Sequence, residues 1–447
     1  MKFSNRIDTA LVIAFLLTVT FIDSAAAKVS TNWPQWRGPN GGVSAEKGLP
    51  VEWSSTKNVK WKTPIAGRGH SSPIVWGKKI FLTTALDGAA IPGRKPGVTH
   101  KMPDGSDFVH PDAVGADLMH TFKVVCLDRA TGKILWERTA YEGPVHDSRH
   151  KKASFASSTP ATDGKYVFAF FGSEGLYAYD FKGKQLWKQN LGKLGTASVG
   201  YGVSPILYKN HVIMLCDDSG GNSFIAAFDK RTGKEAWRVA RKVDITWSTP
   251  VLVQTAKGTE LVVGAAEAII AYDPMTGKEL WRHKGLESNA VPTPVVSNDL
   301  VVVTSGYPAK IALAIRAGGS GDVTGTPNLV WSYNKGTAYV PSPILYGDYI
   351  YLTTDRGLLT CLDVKTGKVV YEGARVPKAV LFQASPVAFE DKILLTSEEG
   401  DTYVIKAGPK HEVLRTNSLG EPVSASPAIA DGNIYIRGDK NLYAIGG

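Results

Sequence analysis

Apolar and polar residues alternate with a period of two along most of the chain after residue 58. A typical segment, Tyr349–Thr353 (YIYLT), lies between the turn residues Gly347-Asp348 and Asp355-Arg356-Gly357. Such alternation between turn signals predicts short, half-buried β-strands. Because no segment keeps an apolar period of 3.6 residues, the sequence predicts an all-β protein with little helix.

Groups of such strands recur, and each group begins with the dipeptide Ser-Pro or Thr-Pro. The eight prolines are Pro73, Pro160, Pro205, Pro250, Pro294, Pro343, Pro386 and Pro427. They are separated by 87, 45, 45, 44, 49, 43 and 41 residues. Four short strands repeated at this spacing are typical of a propeller blade, so the sequence predicts an eight-bladed β-propeller of four-stranded antiparallel blades. The long first separation predicts an insert, residues 87–121, between the second and third strands of blade 1.

The two ends of the propeller sequence are expected to share one blade. Only three strands lie between Pro427 and Gly447, whereas Val59–Thr63 is an additional strand before the first Ser-Pro. Joining this N-terminal strand to the C-terminal blade would close the ring and cover two sheet edges. The prediction therefore assigns residues 28–57 to an N-terminal strap and residues 58–447 to the propeller. We expect the strap to pack across the base or the side of the propeller.

Residues 1–27 have the pattern of a secretory signal peptide. Lys2 and Arg6 precede an apolar run from Ala10 to Ile22, and the small residues Ala25-Ala26-Ala27 follow it. The run is shorter than the ~20 apolar residues that a membrane span needs. The sequence therefore predicts a periplasmic or secreted protein with no transmembrane segment after cleavage, and an uncleaved anchor is the alternative.

Charge and cysteine content argue against a nucleic-acid partner and against a fold held together by disulfides. The formal net charge is +10, but the Lys and Arg residues are dispersed, and export argues against a nucleic-acid partner. Three cysteines, Cys126, Cys216 and Cys361, are too few for a disulfide framework in a chain of this size. Their positions in the repeat predict that all three are free and buried.

A recurrent motif marks the end of most blades. Ala227–Trp237 (AFDKRTGKEAW) has the form A-x-D-x-x-T-G-K-x-x-W, and Ala271–Trp281 has the same form. The Asp can accept hydrogen bonds from the following turn, the Gly permits a positive φ, and the Trp is expected to lie between blades. The expected docking residues are Trp61, Trp136, Trp187, Trp237, Trp281, Trp331 and Tyr371.

This motif resembles the tryptophan-docking motif of pyrroloquinoline-quinone (PQQ)-type propellers. The resemblance implies two different functions, because PQQ-dependent alcohol dehydrogenases are catalytic, whereas the propeller lipoprotein of the outer-membrane-protein assembly complex is a scaffold. The chain is also similar to uncharacterised secreted PQQ-like repeat proteins of environmental bacteria, which often begin with a segment like Trp33–Gly41. The vicinal cysteine pair of the dehydrogenases is not matched here, and none of their quinone or calcium residues can be carried over. We therefore predict no PQQ cofactor.

Histidines concentrate in the first part of the propeller, where six of the nine lie between residues 70 and 150. Blade topology sends the insert and the loop after blade 1 to the same face, so these residues can converge at one mouth of the channel. Imidazole and carboxylate groups are apt zinc ligands, but the spacing matches no recognised metal motif, and a polar surface loop is the alternative. The metal candidates are His110, Asp112, His120, His146 and His150.

The same face collects further candidates for ligand binding. They are His70, Arg149, Tyr201, Trp247, Glu267 and Asp355, and the second-to-third loops also supply Glu174, Asp217, Asp218 and Glu398. Singly, each carboxylate could serve only to cap its own turn. No catalytic motif of the common hydrolases, zinc proteases or nucleotide-binding enzymes occurs in the sequence.

The sequence thus favours an extracytoplasmic, noncatalytic scaffold that binds an envelope protein or a glycan at this mouth. The alternative is a periplasmic enzyme that uses the histidine-rich mouth, either a quinone- or metal-dependent oxidoreductase or a carbohydrate-active enzyme.

Overall fold

A computed structural model describes residues 1, 32–95, 98–102, 104–378 and 380–447. The predicted signal peptide lies outside these residues, apart from Met1. Residues Thr31–Gly447 form one compact unit. Within the described part of the chain, no helix has the length and hydropathy needed to cross a membrane.

Eight four-stranded antiparallel blades follow one another along the chain, which confirms the predicted all-β propeller. The strands of blades 1 to 4 are Ile74–Trp76, Lys79–Ala90, Leu118–Asp128 and Ile134–Pro144; Ala161–Thr162, Tyr166–Phe170, Leu176–Asp180 and Gln185–Gln189; Ile206–Tyr208, His211–Cys216, Phe224–Asp229 and Glu235–Ala240; and Val251–Thr255, Gly258–Val263, Ala268–Tyr272 and Glu279–Lys284. Those of blades 5 to 8 are Val295–Ser297, Leu300–Ser305, Ile311–Arg316 and Leu329–Tyr333; Ile344–Tyr346, Tyr349–Thr353, Leu358–Asp363 and Val369–Arg375; Val387–Phe389, Lys392–Thr396, Asp401–Lys406 and Val413–Ser418; and Ala428–Ala430, Asn433–Arg437, Asn441–Gly446 and Val59–Pro64.

Short elements complete the secondary structure of the described residues. They are the strands Val43–Ser44, His100–Lys101, Asp107–Phe108, Ala113–Val114, Arg149–His150 and Gly321–Asp322, and a single 3-10 turn at Gly172–Glu174. The ring closes as predicted, because Val59–Pro64 pairs antiparallel with Asn441–Gly446 and becomes the outermost strand of blade 8.

The Ser/Thr-Pro dipeptides form a belt of hydrogen bonds around the channel. At six junctions, the backbone N–H of the Ser or Thr donates to the hydroxyl of its counterpart in the next blade over 2.8–3.0 Å. Between blades 8 and 1, the Arg437 guanidinium instead donates to the Ser71 hydroxyl and to the Thr83 carbonyl. The side chain of this dipeptide therefore links the blades, and the proline directly precedes the innermost strand.

The outer strands dock through their tryptophans. The Trp187 indole donates to the carbonyl of Lys230 in blade 3, and its ring covers Gly233, where a Cβ would lie 2.7 Å from the ring. Gly233 also has a φ of 74°, so two separate constraints select glycine. Trp61, Trp136 and Trp331 make the equivalent bond to the next blade.

Three of the expected docking residues depart from this arrangement. Trp237 packs on Gly277, but its indole nitrogen is buried without a hydrogen-bond partner. Trp281 donates to the Glu260 carboxylate in its own blade, since the turn it would meet in blade 5 lacks the D-x-x-T-G-K sequence. Tyr371 meets His411 edge to face, with 5.9 Å between ring centroids. All three cysteines are free and buried, as the sequence predicts.

The strap crosses the base of the channel. Trp33 is buried and forms a bridge to Val75 of blade 1, while the Trp36 indole donates to the Thr293 hydroxyl of blade 5. Arg37 is buried and donates to the Pro343 carbonyl of blade 6, and Val43–Ser44 pairs with the inner strand of blade 7. Asn32 and Glu46 accept backbone N–H groups from the turns between the first and second strands of blades 1 and 8, so the strap lies at the mouth opposite the insert.

Candidate functional site at the uncovered mouth

The insert of blade 1 reaches across the opposite mouth. Its flanking strands remain paired from Asp87 with His120 to Ala90 with Leu118, so the loop itself covers residues 91–117 and is shorter than the predicted 87–121. The second and third strands of blade 1 continue as a hairpin beyond the blade body. The hydropathy pattern does not show where this hairpin ends.

A buried carboxylate fastens the insert over blades 2 and 3. Asp147 Oδ2 accepts hydrogen bonds from the Thr99 hydroxyl and from the backbone and hydroxyl of Thr196, each over 2.7 Å. The Ser219 hydroxyl of blade 3 donates to the Thr99 carbonyl over 2.8 Å. On the other side, Lys152 forms an ion pair of 2.9 Å with Glu398 of blade 7. The insert and the following loop therefore form one side of the mouth, from blade 7 round to blade 3.

Three of the five metal candidates come together. One ligand atom each from His110, Asp112 and His150 lies within 4.8 Å of the others, and all three residues are partly exposed. Two short antiparallel strands cause this convergence, because His150 is paired with Ala113, directly after Asp112. Desolvation, followed by the nearby His110, lowers the pKa of His150, which favours its neutral imidazole at pH 7. Lys151 also contacts Asp112, with 2.9 Å between Nζ and Oδ1.

The other two metal candidates lie elsewhere. His120 is buried against Phe155, its Nε2 bonds to the Gly115 carbonyl over 2.6 Å, and its Nδ1 lies 3.1 Å from Asp87. His146 lies on the opposite side of the insert, where its backbone N–H donates to the Glu174 carboxylate over 2.9 Å. The five candidates therefore do not form one site.

A cavity of about 460 Å³ lies next to His146, between the insert and blade 2. Its lining includes Arg94, Lys188 and Lys193, together with a single carboxyl group, Glu174. Desolvation raises the pKa of Glu174 to about 7. The sequence contains no signal for this cavity, because Arg94 and Lys188 come from an irregular insert and from an outer strand.

The ligand-binding candidates nearest the channel are enclosed by positive charge. Desolvation lowers the pKa of His70 to about 3, and the charges of Arg68, Arg437 and Arg149 add to this effect. Arg149 is buried, donates to the Ala153 carbonyl over 3.1 Å, and lies over the Phe155 ring at 5.5 Å. The Arg149 side chain and the backbone N–H of His70, which donates to the Ala156 carbonyl over 3.1 Å, support the loop between blades 1 and 2.

The remaining candidates bond within their own surroundings and stay apart. The Trp247 indole donates to the Gly200 carbonyl over 2.8 Å, and Tyr201 packs edge to face with Phe170 at 5.7 Å. Asp355 accepts the backbone N–H groups of Tyr339 and Val340, and Glu267 accepts that of Asp244. These two acids therefore do not cap their own turns but hold the loop that precedes their blade.

The insert carries a feature that the sequence analysis missed. Among the described residues from Asn32 onward, eleven large apolar side chains are exposed, and five of them lie on the insert or its flanking strand. They are Val98, Met102, Val109, Val114 and Met119. The sequence shows these apolar residues scattered among charged ones, but it does not show which apolar residues are exposed and which are in the core.

Comparisons with known proteins point to one family and one fold. The sequence matches the family described as outer membrane protein assembly factor BamB over residues 120–373. No curated protein sequence matches the chain significantly. The structure is similar to BamB from Moraxella catarrhalis, with a TM-score of 0.54 and 13% identity over 81% of this chain and 98% of that one.

Two enzymes share the fold to a similar degree. A quinohemoprotein alcohol dehydrogenase from Comamonas testosteroni has a TM-score of 0.60 and 12% identity over 93% of this chain and 81% of its own. A europium-containing methanol dehydrogenase has a TM-score of 0.61 and 14% identity over 91% of this chain and 90% of its own. At these identities the likeness shows the propeller fold alone, since one fold hosts many functions.

Proposed function

The chain belongs to the family described as outer membrane protein assembly factor BamB, and from this premise we propose that it is a noncatalytic scaffold of the cell envelope. In this proposal, a protein partner binds at the uncovered mouth through the insert of blade 1. The predicted signal peptide and the description of the family both support an envelope location.

The observation that carries this proposal is the concentration of exposed apolar side chains on the insert. Soluble proteins rarely expose contiguous apolar surface without a binding role, whereas single exposed apolar residues are ordinary. The six other exposed apolar residues from Asn32 onward are distributed over blades 1, 2, 5, 6 and 7, so the insert stands out from the rest of the surface.

The charge of the adjoining cavity indicates the chemistry of the partner. Arg94, Lys188 and Lys193 line it, and the only carboxyl group among its lining residues has a raised pKa. A partner segment with apolar residues and a nearby acidic side chain would therefore complement both surfaces. Complementary charge of this kind contributes to association rate and to specificity more than to affinity.

A matched pair of substitutions tests the insert. Met119 and Leu186 are both 37% exposed, but Met119 flanks the insert and Leu186 lies on the outer strand of blade 2. Protein carrying Met119→Asp should lose its crosslinked partner in envelope extracts, and protein carrying Leu186→Asp should retain it. Equal capture by the two variants would exclude the insert as the docking surface.

The noncatalytic part of the proposal needs its own experiment. Purified protein should show no quinone absorbance. It should not oxidise alcohols with an artificial electron acceptor, and it should not release reducing sugars from oligosaccharides. Turnover that disappears in an insert variant would replace the scaffold by an enzyme of the mouth.

A further inference from the structure

The geometry of His110, Asp112 and His150 points to a binding site for a divalent transition-metal ion, which we propose as a metal latch between the insert and the loop after blade 1. This inference is independent of the proposed function, because metal binding is measured on the purified protein without a partner. Two imidazoles and one carboxylate form a donor set that suits Zn²⁺ and related borderline ions.

The distance between Asp112 and His150 matches one edge of a tetrahedral site. Two ligands that each lie 2.0–2.1 Å from a tetrahedral ion are about 3.3 Å apart. His150 Nε2 and Asp112 Oδ2 are 3.3 Å apart, so their separation fits one ion bound to both. The His110 ring lies 5.1 Å from the His150 ring, measured between centroids, and completes the set of three within 4.8 Å.

The backbone around the three residues is already ordered. The backbone N–H of Lys151 donates to the Asp112 carbonyl over 2.9 Å, which extends the pairing of Ala113 with His150. Each histidine also begins a turn, closed by a bond to its carbonyl from Ala113 or from Ala153. Such preorganisation reduces the conformational entropy that ligands lose when they bind a metal.

The side chains of His110, Asp112 and His150 already have partners that an ion must displace or accommodate. The Nδ1 atoms of His110 and His150 accept the backbone N–H groups of Asp112 and Lys152, both over 3.1 Å, so the neutral rings carry their protons on Nε2. Coordination through Nε2 of either ring therefore moves the proton of that ring to Nδ1 and breaks the bond that Nδ1 accepts from the backbone. Lys151 holds Asp112 Oδ1, which leaves Oδ2 as the oxygen that faces His150.

The first experiment measures binding of metal to the whole chain. After treatment with a chelator, the protein should bind one Zn²⁺ by calorimetry, and Co²⁺ should give the visible absorbance of a tetrahedral site. The variants His150→Ala and Asp112→Asn should lose both signals. His411→Ala is the matched control, since this histidine lies on blade 7, where its Nε2 bonds to the Arg375 carbonyl. This variant should bind Zn²⁺ and Co²⁺ as the parent protein does.

Further readouts distinguish a metal site from a purely structural contact. Lys151→Met should tighten Zn²⁺ binding several-fold, because a competing cation is removed. Nitrogen NMR of the two imidazoles should show a change from the Nε2–H to the Nδ1–H tautomer when Zn²⁺ is added. Absence of Zn²⁺ and Co²⁺ binding by the parent protein would overturn the proposal, and so would binding that survives both ligand substitutions.

Discussion

The blade bodies and the insert of blade 1 are held in place by different kinds of contact. Between blades, the same two contacts recur around most of the ring: the hydroxyl belt at the channel and the tryptophan docked on the next blade. The insert is held by contacts that occur once, such as those of Thr99 with Asp147 and with Ser219. Five apolar residues on the insert and its flanking strand are 37–45% exposed.

Because of this difference, we expect the blade bodies to determine stability and the insert to determine binding. A repeated contact is part of a continuous core, so its loss weakens two blades at once, whereas the insert can change without breaking the ring. The comparison therefore predicts a graded series of effects, from loss of the closed ring to substitutions that alter only the surface.

Removal of the closing strand should have the largest effect. Deletion of residues 28–64 takes away Val59–Pro64 and leaves Asn441–Gly446 as an unpaired edge. Open edges of this kind template aggregation. We expect aggregation or a large loss of thermal stability, measured by light scattering and calorimetry. A deletion variant that is monomeric and melts at the parent temperature would contradict the closure of the ring by this strand.

Truncation of a docked tryptophan should follow. Trp187→Ala removes a buried ring and its bond to Lys230, and should lower the free energy of unfolding by ~3–5 kcal/mol. Leu186→Ala, at the exposed neighbouring position, is the control and should change it by less than about 0.5 kcal/mol. Denaturant titration measures both values, and similar losses in the two variants would remove the special role of the docked ring.

The hydroxyl belt should contribute less at each link. Ser204→Ala leaves the buried backbone N–H of Thr159 without its acceptor, and should cost about 1–3 kcal/mol. Ser332→Ala, at an exposed position on the outer strand of blade 5, should be nearly neutral in the same denaturant titration. A neutral result at Ser204 as well would show that water or a neighbouring group replaces the belt.

Glu174 should make stability depend on pH. Desolvation raises the pKa of its carboxyl group to about 7 in the folded protein, above the ordinary value of 4.5. The folded state thus holds the proton more tightly, so stability should fall by about 2–3 kcal/mol as the pH rises from 4.5 through 7. Glu174→Gln should remove this part of the slope in melting experiments between pH 5 and 8. An unchanged slope would place the titration elsewhere.

The smallest effect is expected on the insert. Val109 is exposed, and Val109→Asp should change the free energy of unfolding by no more than about 0.5 kcal/mol, while it weakens capture of a partner. A clear loss of stability would show that the insert belongs to the folding core, and the contrast with the blades would then fail.

What the sequence by itself determined is the part of the protein that repeats. Local patterns predicted this part: the eight Ser/Thr-Pro dipeptides, the alternating strands and the closing strand. The same pattern forms the same structure in each blade. The motif around Trp187 and Gly233 could be interpreted from its spacing because its hydrogen bond and its close contact lie one repeat away. The insert itself could be located from the sequence, but its bounds could not, because the two flanking strands continue beyond the blade.

Only the tertiary structure decided the contacts that span unequal distances along the chain. Trp36 reaches Thr293 across the channel, and His150 meets Asp112 but not His120, although the sequence grouped these residues alike. The physical reason is that the insert has no period, so its path depends on single polar contacts such as Thr99 with Asp147. Residue types predict which groups can bind a metal or a partner, and the packing of unlike segments decides which of them meet.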